Sequence, residues 1–154
     1  MAEVLFYHLT QTPLERTLPD LLAKSRARGW NVVVRSGSED RLEWLDKRLW
    51  LGLDTDFLAH GREGGTFDVD QPILLTLGTN IPNDAQILFA VDMADVTGSE
   101  AADFTRVCIV FDGNDEAALV HARNQWKSLT EAGLPAKYWS QESGNWQVKA
   151  EKNT

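Results

Sequence analysis

The chain has 154 residues, of which 43% are hydrophobic and 25% charged, and its formal net charge at pH 7 is -8. This composition fits one soluble globular domain, because the longest apolar runs of about five or six residues fall far short of the roughly 20 that cross a bilayer. The acidic balance argues against a broad DNA-binding surface, and a single cysteine without a signal-peptide pattern indicates a reducing cytoplasm.

The N-terminal segment predicts a buried strand followed by an amphipathic helix. Residues 4–7 form a short apolar run that is typical of a strand. Thr12 and Glu15 have the spacing of a capping box, with Pro13 at the first helical position. Pro19 should kink this helix or split it in two, and Gly29 suits its end. The apolar face is made of leucines at helical spacing: Leu14, Leu18, Leu21 and Leu22.

A second strand and helix follow, and then an irregular stretch. Residues 30–34 are rich in β-branched side chains and predict a strand. Ser38 can cap a helix whose first turn is acidic and whose apolar face holds Leu42, Leu45 and Leu49. Residues 52–71 show no clear period and contain several glycines, so they predict a long surface loop of the kind that is often functional.

The second half of the chain repeats the alternation of strands and helices. Strands are predicted at residues 73–77, 87–91 and 107–111, with a turn at 80–84 and a loop with about one helical turn at 92–103. Asn114 can cap a helix that Gly133 ends, and a strand at 136–140 and a polar tail follow. Such alternation predicts an α/β fold with a mostly parallel sheet covered on both faces.

The motifs of common enzymes are missing from the sequence. The turn after the first strand has no glycine, and no Walker-type loop or nucleophile elbow is present, so we expect no nucleotide cofactor. Asp112 follows the strongest strand and could bind a metal with Asp115, but Asp-Gly-Asn-Asp is also ordinary turn and cap chemistry, which we favour. Three histidines (His8, His60, His121) lack metal-ligand spacing, and Cys108 is expected to be a small buried side chain.

Cations and aromatic side chains coincide in the C-terminal third of this acidic chain. Arg123, Trp126 and Lys127 are near neighbours on a helix because they are three and four residues apart. Trp126 also continues a row of apolar residues at the helical spacing typical of a core-facing side. In the alternative to a binding surface, Trp126 is therefore an ordinary core residue and the two cations are simply solvated. Tyr138 and Trp139 point to opposite sides if their segment is a strand. Trp and Arg together are typical of interface hot spots, and the residues alone leave both interpretations open.

Six segments in order along nearly the whole chain resemble the chi subunit of bacterial DNA polymerase III holoenzyme. They are FYHL (6–9), LW (49–50), FLAHG (57–61), PILLT (72–76), RVCIVFDG (106–113) and ARNQWK (122–127). The resemblance implies a single-domain, Rossmann-like three-layer sandwich over residues 1–150 with a polar tail at 151–154. It also implies a non-enzymatic clamp-loader accessory protein without cofactor or metal, which binds the acidic C-terminal tail of single-stranded-DNA-binding protein.

The resemblance also assigns residues to partners. Arg123 matches the family's tail-binding arginine, with Trp126 and Lys127 beside it and Tyr138 and Trp139 in the same neighbourhood. Trp50 and Phe57 match aromatics that face the psi subunit, which tethers chi to the clamp loader; chi can also associate with a helicase-like repair protein. Leu119 stands where well-studied members have a lysine. Two alternatives are a small metal-dependent α/β hydrolase or phosphotransferase that uses Asp112, and a stand-alone nucleic-acid-binding domain.

Overall fold

The computed structural model describes residues 2–10, 12–51, 60–64, 68–79, 81–141 and 146–153. Strands and helices alternate through most of this chain. The first half contains β1 (Glu3–Leu9), α1 (Leu14–Ala27), β2 (Val32–Ser36), α2 (Glu39–Leu51), β3 (Gly61–Arg62) and β4 (Ile73–Thr76). The second half contains β5 (Ile87–Val91), α3 (Gly98–Ala101), β6 (Arg106–Asp112), α4 (Glu116–Glu131), β7 (Ala136–Ser140) and β8 (Gln147–Lys152).

The described strands form one sheet in the order β3-β4-β2-β5-β6-β1-β7-β8. Every neighbouring pair is parallel except β7 and β8, which are antiparallel. The central strands are buried along their length, as expected for a parallel sheet covered on both faces. The predicted α/β fold with a mostly parallel sheet is therefore confirmed.

Helices cover the two faces of the sheet and complete three layers. On one face, α1 and α2 pack their leucines against a core that includes Val34, Phe89 and Val110. On the other face, α3 and α4 pack against a core that includes Phe6, Val107 and Ile109. The Rossmann-like three-layer sandwich implied by the resemblance is therefore present. None of the helices in the described ranges is long and apolar enough to cross a membrane.

The starts of two helices differ from the sequence predictions. Pro13 occupies the N-cap position of α1 without a side-chain cap hydrogen bond, and the hydroxyl of Thr12 lies 2.8 Å from the hydroxyl of Thr17. The predicted capping box at Thr12 is therefore wrong. At α4 the cap is Asp115, one residue after the predicted Asn114, and its carboxylate accepts from two backbone N–H groups of the first turn. Asp115 occupies the position directly before the helix, where a side-chain oxygen can accept from the free N–H groups of the first turn.

Pro19 neither ends nor splits α1, which is continuous from Leu14 to Ala27. Leu18 and Leu22 on either side of the proline are fully buried against the sheet. Tertiary packing of this face stabilises the helix more than the one lost backbone hydrogen bond destabilises it. The strand that follows begins at Val32, two residues later than predicted, because the N–H of Trp30 donates to Ser25 O and closes the helix end.

Two stretches that the pattern assigned to loop or tail contain regular structure. Within residues 52–71, the described part includes the short parallel strand β3 and a 3-10 helix at Asp68–Asp70. Near the C-terminus, β8 pairs with β7 and extends the sheet to Lys152. All six residues of β8 are exposed, so this strand is held by backbone pairing at the edge of the sheet and has no hydrophobic signature.

Candidate functional site

The surface of α4 brings together three of the predicted site residues. Its buried face includes Ala118, Ala122, Gln125 and Leu129. Leu119 and Trp126 lie at the margin of that face, partly buried against the core. We call the row formed by the partly buried Leu119 and Trp126 and the exposed Arg123 and Lys127 the α4 surface.

The two cations of the α4 surface are available for an external partner. Arg123 and Lys127 are exposed and one helical turn apart. Neither forms an ion pair or a side-chain hydrogen bond with any part of the chain that the structure describes. Cations without an ion-pair partner beside a half-buried tryptophan, on a chain of net charge -8, have the chemistry that suits an anionic, partly apolar ligand.

Trp126 is fixed by an aromatic cluster on the sheet beneath it. Its ring meets the ring of the buried Phe6 edge-on, with centroids 5.2 Å apart. Tyr138 on β7 meets Trp126 edge-on at 6.2 Å and is stacked near Phe6 at 6.5 Å. These separations are typical of favourable aromatic pairs. The indole therefore has a defined orientation while part of it remains at the surface.

His8 continues this cluster towards the carboxyl ends of the strands. The hydroxyl of Tyr138 lies 2.7 Å from Nδ1 of His8. The imidazole stacks on Phe111, with ring centroids 5.1 Å apart, and fits against the backbone of Gly113. His8 is thus a packing partner of Tyr138. The sequence did not predict this contact, because nothing in the pattern around His8 relates it to a residue 130 positions away.

Trp139 lies on the opposite face of the sheet from Tyr138. In the register of β1 and β7, Tyr138 is beside Phe6 and Trp139 is beside Tyr7. Trp139 packs with the core beneath α1, whereas Tyr138 packs with the core beneath α4. The structure therefore brings Tyr138 to Arg123's side of the molecule and separates Trp139 from it.

The two residues that the resemblance assigns to psi are placed only in part. Trp50 belongs to the last turn of α2, at the opposite side of the sheet from the α4 surface. Phe57 lies outside the described residues.

A cavity of about 560 Å³ lies at the carboxyl ends of β1, β5 and β6, the usual ligand position in an open α/β sheet. Its charged lining is mainly acidic and includes Asp92, Asp112 and Asp115, while Arg41 is paired with Asp92 at 3.0 Å. Asp112 accepts the N–H of Asn114 at 2.8 Å, and Asp115 caps α4. Both carboxylates of the hypothetical metal pair therefore have local structural roles, as the turn interpretation predicts.

The remaining reactive side chains also have structural partners. His60 lies 3.0 Å from a carboxylate oxygen of Asp46, and His121 lies 2.8 Å from one of Asp95. Cys108 is buried in the sheet, and burial raises the pKa of its thiol. Within the described ranges, no group of three or more histidine, cysteine and acidic side chains is arranged to hold a metal ion.

Comparison with known proteins identifies the family. Residues 1–137 match the family model of the DNA polymerase III chi subunit, HolC. The chain therefore belongs to the DNA polymerase III chi subunit family, which gives it an accessory role in DNA polymerase III. A comparison with curated proteins finds no match.

Proposed function

We propose that this chain is a replication accessory subunit that links the DNA polymerase III holoenzyme to single-stranded-DNA-binding protein. The α4 surface would bind the acidic C-terminal tail of that protein, as the family resemblance implies. One observation carries this proposal: Arg123 and Lys127 are exposed, have no partner within the described chain, and flank the partly buried Trp126 on a strongly acidic protein.

The chemistry of the α4 surface suits the end of such a tail. The guanidinium of Arg123 can bind a terminal carboxylate with two parallel hydrogen bonds. The partly buried side chains of Leu119 and Trp126 can contact the tail's last apolar residue, and Lys127 can attract the acidic residues before it. A surface of this size should bind weakly to moderately, and its affinity should fall as salt rises.

A second contact would attach the chain to the clamp loader. We propose that Trp50 and Phe57 face psi or another clamp-loader component, and that a helicase-like repair protein is the other candidate for the same region. Because α2 lies on the opposite sheet face from α4, the two contacts would not compete for one surface. Such a bridge would work in the cytoplasm, where it reaches DNA through a bound protein and needs no strong DNA binding of its own.

Calorimetric titration with an acidic tail peptide that ends in an apolar residue and a free carboxylate tests the α4 surface. Arg123→Ala should weaken binding about tenfold or more, since hydrogen bonds between charged groups contribute roughly 1.5–3 kcal/mol. Arg16→Ala is the matched control, because Arg16 is an exposed arginine on α1, across the sheet. Thermal unfolding should show that both variants keep the wild-type stability. Unchanged affinity in Arg123→Ala would rule out this site.

A further inference from the structure

A second group of cations and aromatics lies on the face of the sheet covered by α1. Here the C-terminal half of α1 and strands β1, β5, β6 and β7 enclose a cavity of about 240 Å³, which we call the α1 groove. The residues that matter for its chemistry are Tyr7, Lys24, Arg28, Arg106, Trp139 and Trp146. The groove is separated from the α4 surface by the thickness of the sheet.

The rim of the α1 groove is positively charged. Lys24 in the last turn of α1 and Arg28 at its C-cap are exposed and four positions apart, and neither forms an ion pair within the described residues. Arg106 carries the third positive charge, and it is paired with Glu3: Nε and Nη2 of Arg106 each lie 2.6 Å from Oε1 of Glu3. Lys24 and Arg28 therefore have no acidic partner among the described residues, although the Arg28 guanidinium lies over the Trp30 ring. Cations without an acidic partner on an otherwise acidic chain are sites of local attraction for anions.

The floor of the groove is apolar and uncharged. Buried side chains from the sheet, including Ile87, Phe89 and Cys108, line its base. The rings of Tyr7 and Trp146 form a wall, edge-on with centroids 5.3 Å apart. Burial raises the pKa of both the Tyr7 phenol and the Cys108 thiol, so neither carries a negative charge at neutral pH. An apolar side chain can enter this floor without meeting an ionised group.

Trp139, which lines the groove, carries a buried hydrogen-bond donor that lacks an acceptor. The indole nitrogen of Trp139 is inaccessible to solvent and has no hydrogen-bond partner among the described residues. A buried polar group without a partner is destabilising, and most such groups in proteins are paired. Because this nitrogen is closed to solvent in the free chain, a carbonyl or carboxylate oxygen of a bound ligand would become its acceptor only after the side chains over it move aside on binding.

We propose that the α1 groove binds an acidic peptide segment that carries one aromatic or large aliphatic side chain. That side chain would fill the apolar floor, acidic residues beside it would meet Lys24 and Arg28, and a peptide carbonyl would accept from the Trp139 indole.

The geometry favours a peptide over single-stranded nucleic acid. Bases bind such surfaces by stacking on exposed aromatic faces. Here the guanidinium of Arg28 lies 5.0 Å and that of Arg106 lies 5.3 Å from the centroid of Trp30, so cations already cover that ring. The Tyr7 and Trp146 rings meet edge-on and offer no parallel platform. Few free cations on a chain of charge -8 also provide little phosphate binding.

The probe for this site is the blocked peptide acetyl-Asp-Asp-Phe-Asp-Asp-amide, which has no terminal carboxylate. Nitrogen–proton NMR spectra follow the indole N–H signals of the six tryptophans. The signal that is missing from the spectrum of the Trp139→Phe variant belongs to Trp139. We expect a saturable shift of the Trp139 signal that is the same in Arg123→Ala. A matched peptide with alanine in place of phenylalanine should bind at least several-fold more weakly. Failure of the α4 surface to bind a tail would leave this result unaffected.

Three variants decide the assignment. The double variant Lys24→Glu with Arg28→Glu should lose about tenfold or more in affinity, because both attractions become repulsions. Arg16→Glu is the control: it makes half of that charge change on the same helix and should bind the probe nearly as wild type does. Trp139→Phe keeps a ring but removes the N–H and should bind several-fold more weakly.

Three results would overturn the proposal. The first is the absence of a saturable shift of the Trp139 signal. The second is an equal loss of affinity per unit of charge change in the double variant and in the Arg16 control. The third is binding of a short oligothymidylate at these residues in preference to the peptide. Wild-type affinity in Trp139→Phe would overturn the assigned indole hydrogen bond.

Discussion

The contact between Gly113 and His8 allows a direct test of how the aromatic floor beneath Trp126 is held. A Cβ added at Gly113 would lie 2.0 Å from Nε2 and 2.2 Å from Cδ2 of His8, and 2.8 Å from the carbonyl oxygen of Leu9. Favourable contacts between non-bonded heavy atoms lie near 3.5–4.0 Å. Gly113→Ala therefore requires the imidazole to leave its position or the turn after β6 to move.

The expected loss of stability follows from the contacts that His8 would give up. Its Nδ1 lies 2.7 Å from the Tyr138 hydroxyl, a hydrogen bond with a net contribution of about 0.5–1.5 kcal/mol. Overpacking a well-packed site costs about 1–3 kcal/mol. Together these effects predict that Gly113→Ala lowers the free energy of unfolding by roughly 2–4 kcal/mol, a large share of the typical total of about 5–15 kcal/mol.

Urea unfolding followed by tryptophan fluorescence measures this loss. Gly78→Ala is the matched control, since the nearest atom to its added Cβ would be 3.9 Å away and the effect should stay within about 0.5 kcal/mol. The double variant His8→Ala with Gly113→Ala should be less destabilised than the sum of its two single variants, because the smaller side chain makes room. A Gly113→Ala protein as stable as wild type, or strictly additive losses, would refute the assigned packing.

Two further predictions concern the α4 surface and the buried thiol. Leu119→Lys should raise tail-peptide affinity about two- to fivefold in low salt, because the lysine stem can keep the apolar contact while its ammonium attracts the acidic tail one turn before Arg123. Calorimetry that shows weaker or unchanged binding would contradict this. The pKa of the Cys108 thiol is higher in the folded protein than its value of 9.0 in the unfolded chain. Above pH 9 the unfolded chain therefore ionises first, and the free energy of unfolding falls by about 1.4 kcal/mol per pH unit, whereas below pH 9 this contribution is complete. Urea unfolding at pH 8–10 should show a shallower alkaline loss in Cys108→Ala, whereas parallel slopes would exclude this origin.

Much of the fold was accessible from the sequence because apolar runs and helical spacing reflect burial. Residues 107–111 are apolar without alternation, which is typical of a central parallel strand, and they lie in β6 at the centre of the sheet. β8 gave no such signal, because all its residues are exposed and its stability comes from backbone pairing. The strand order was also beyond the sequence, since it depends on which strands pair across long separations.

The candidate site divides in the same way. Arg123, Trp126 and Lys127 could be grouped from sequence because helical spacing of three and four residues is local. The α1 groove could not, since Lys24, Arg106 and Trp139 come from three segments that meet only in the folded sheet. Sequence alone likewise gave no reason to place His8 against Gly113, a contact between residues more than a hundred positions apart.

The alternation of side chains along β7 places the two proposed sites for acidic ligands on opposite faces of the sheet. Tyr138 faces α4 and supports Trp126, while its neighbour Trp139 faces α1 and lines the groove there. The adjacent strand β1 does the same with Phe6 and Tyr7. Because the sheet lies between them, a ligand on one surface neither covers nor displaces a ligand on the other. A member of this family with both sites could therefore hold the tail of single-stranded-DNA-binding protein and a second acidic segment at once, without competition between them.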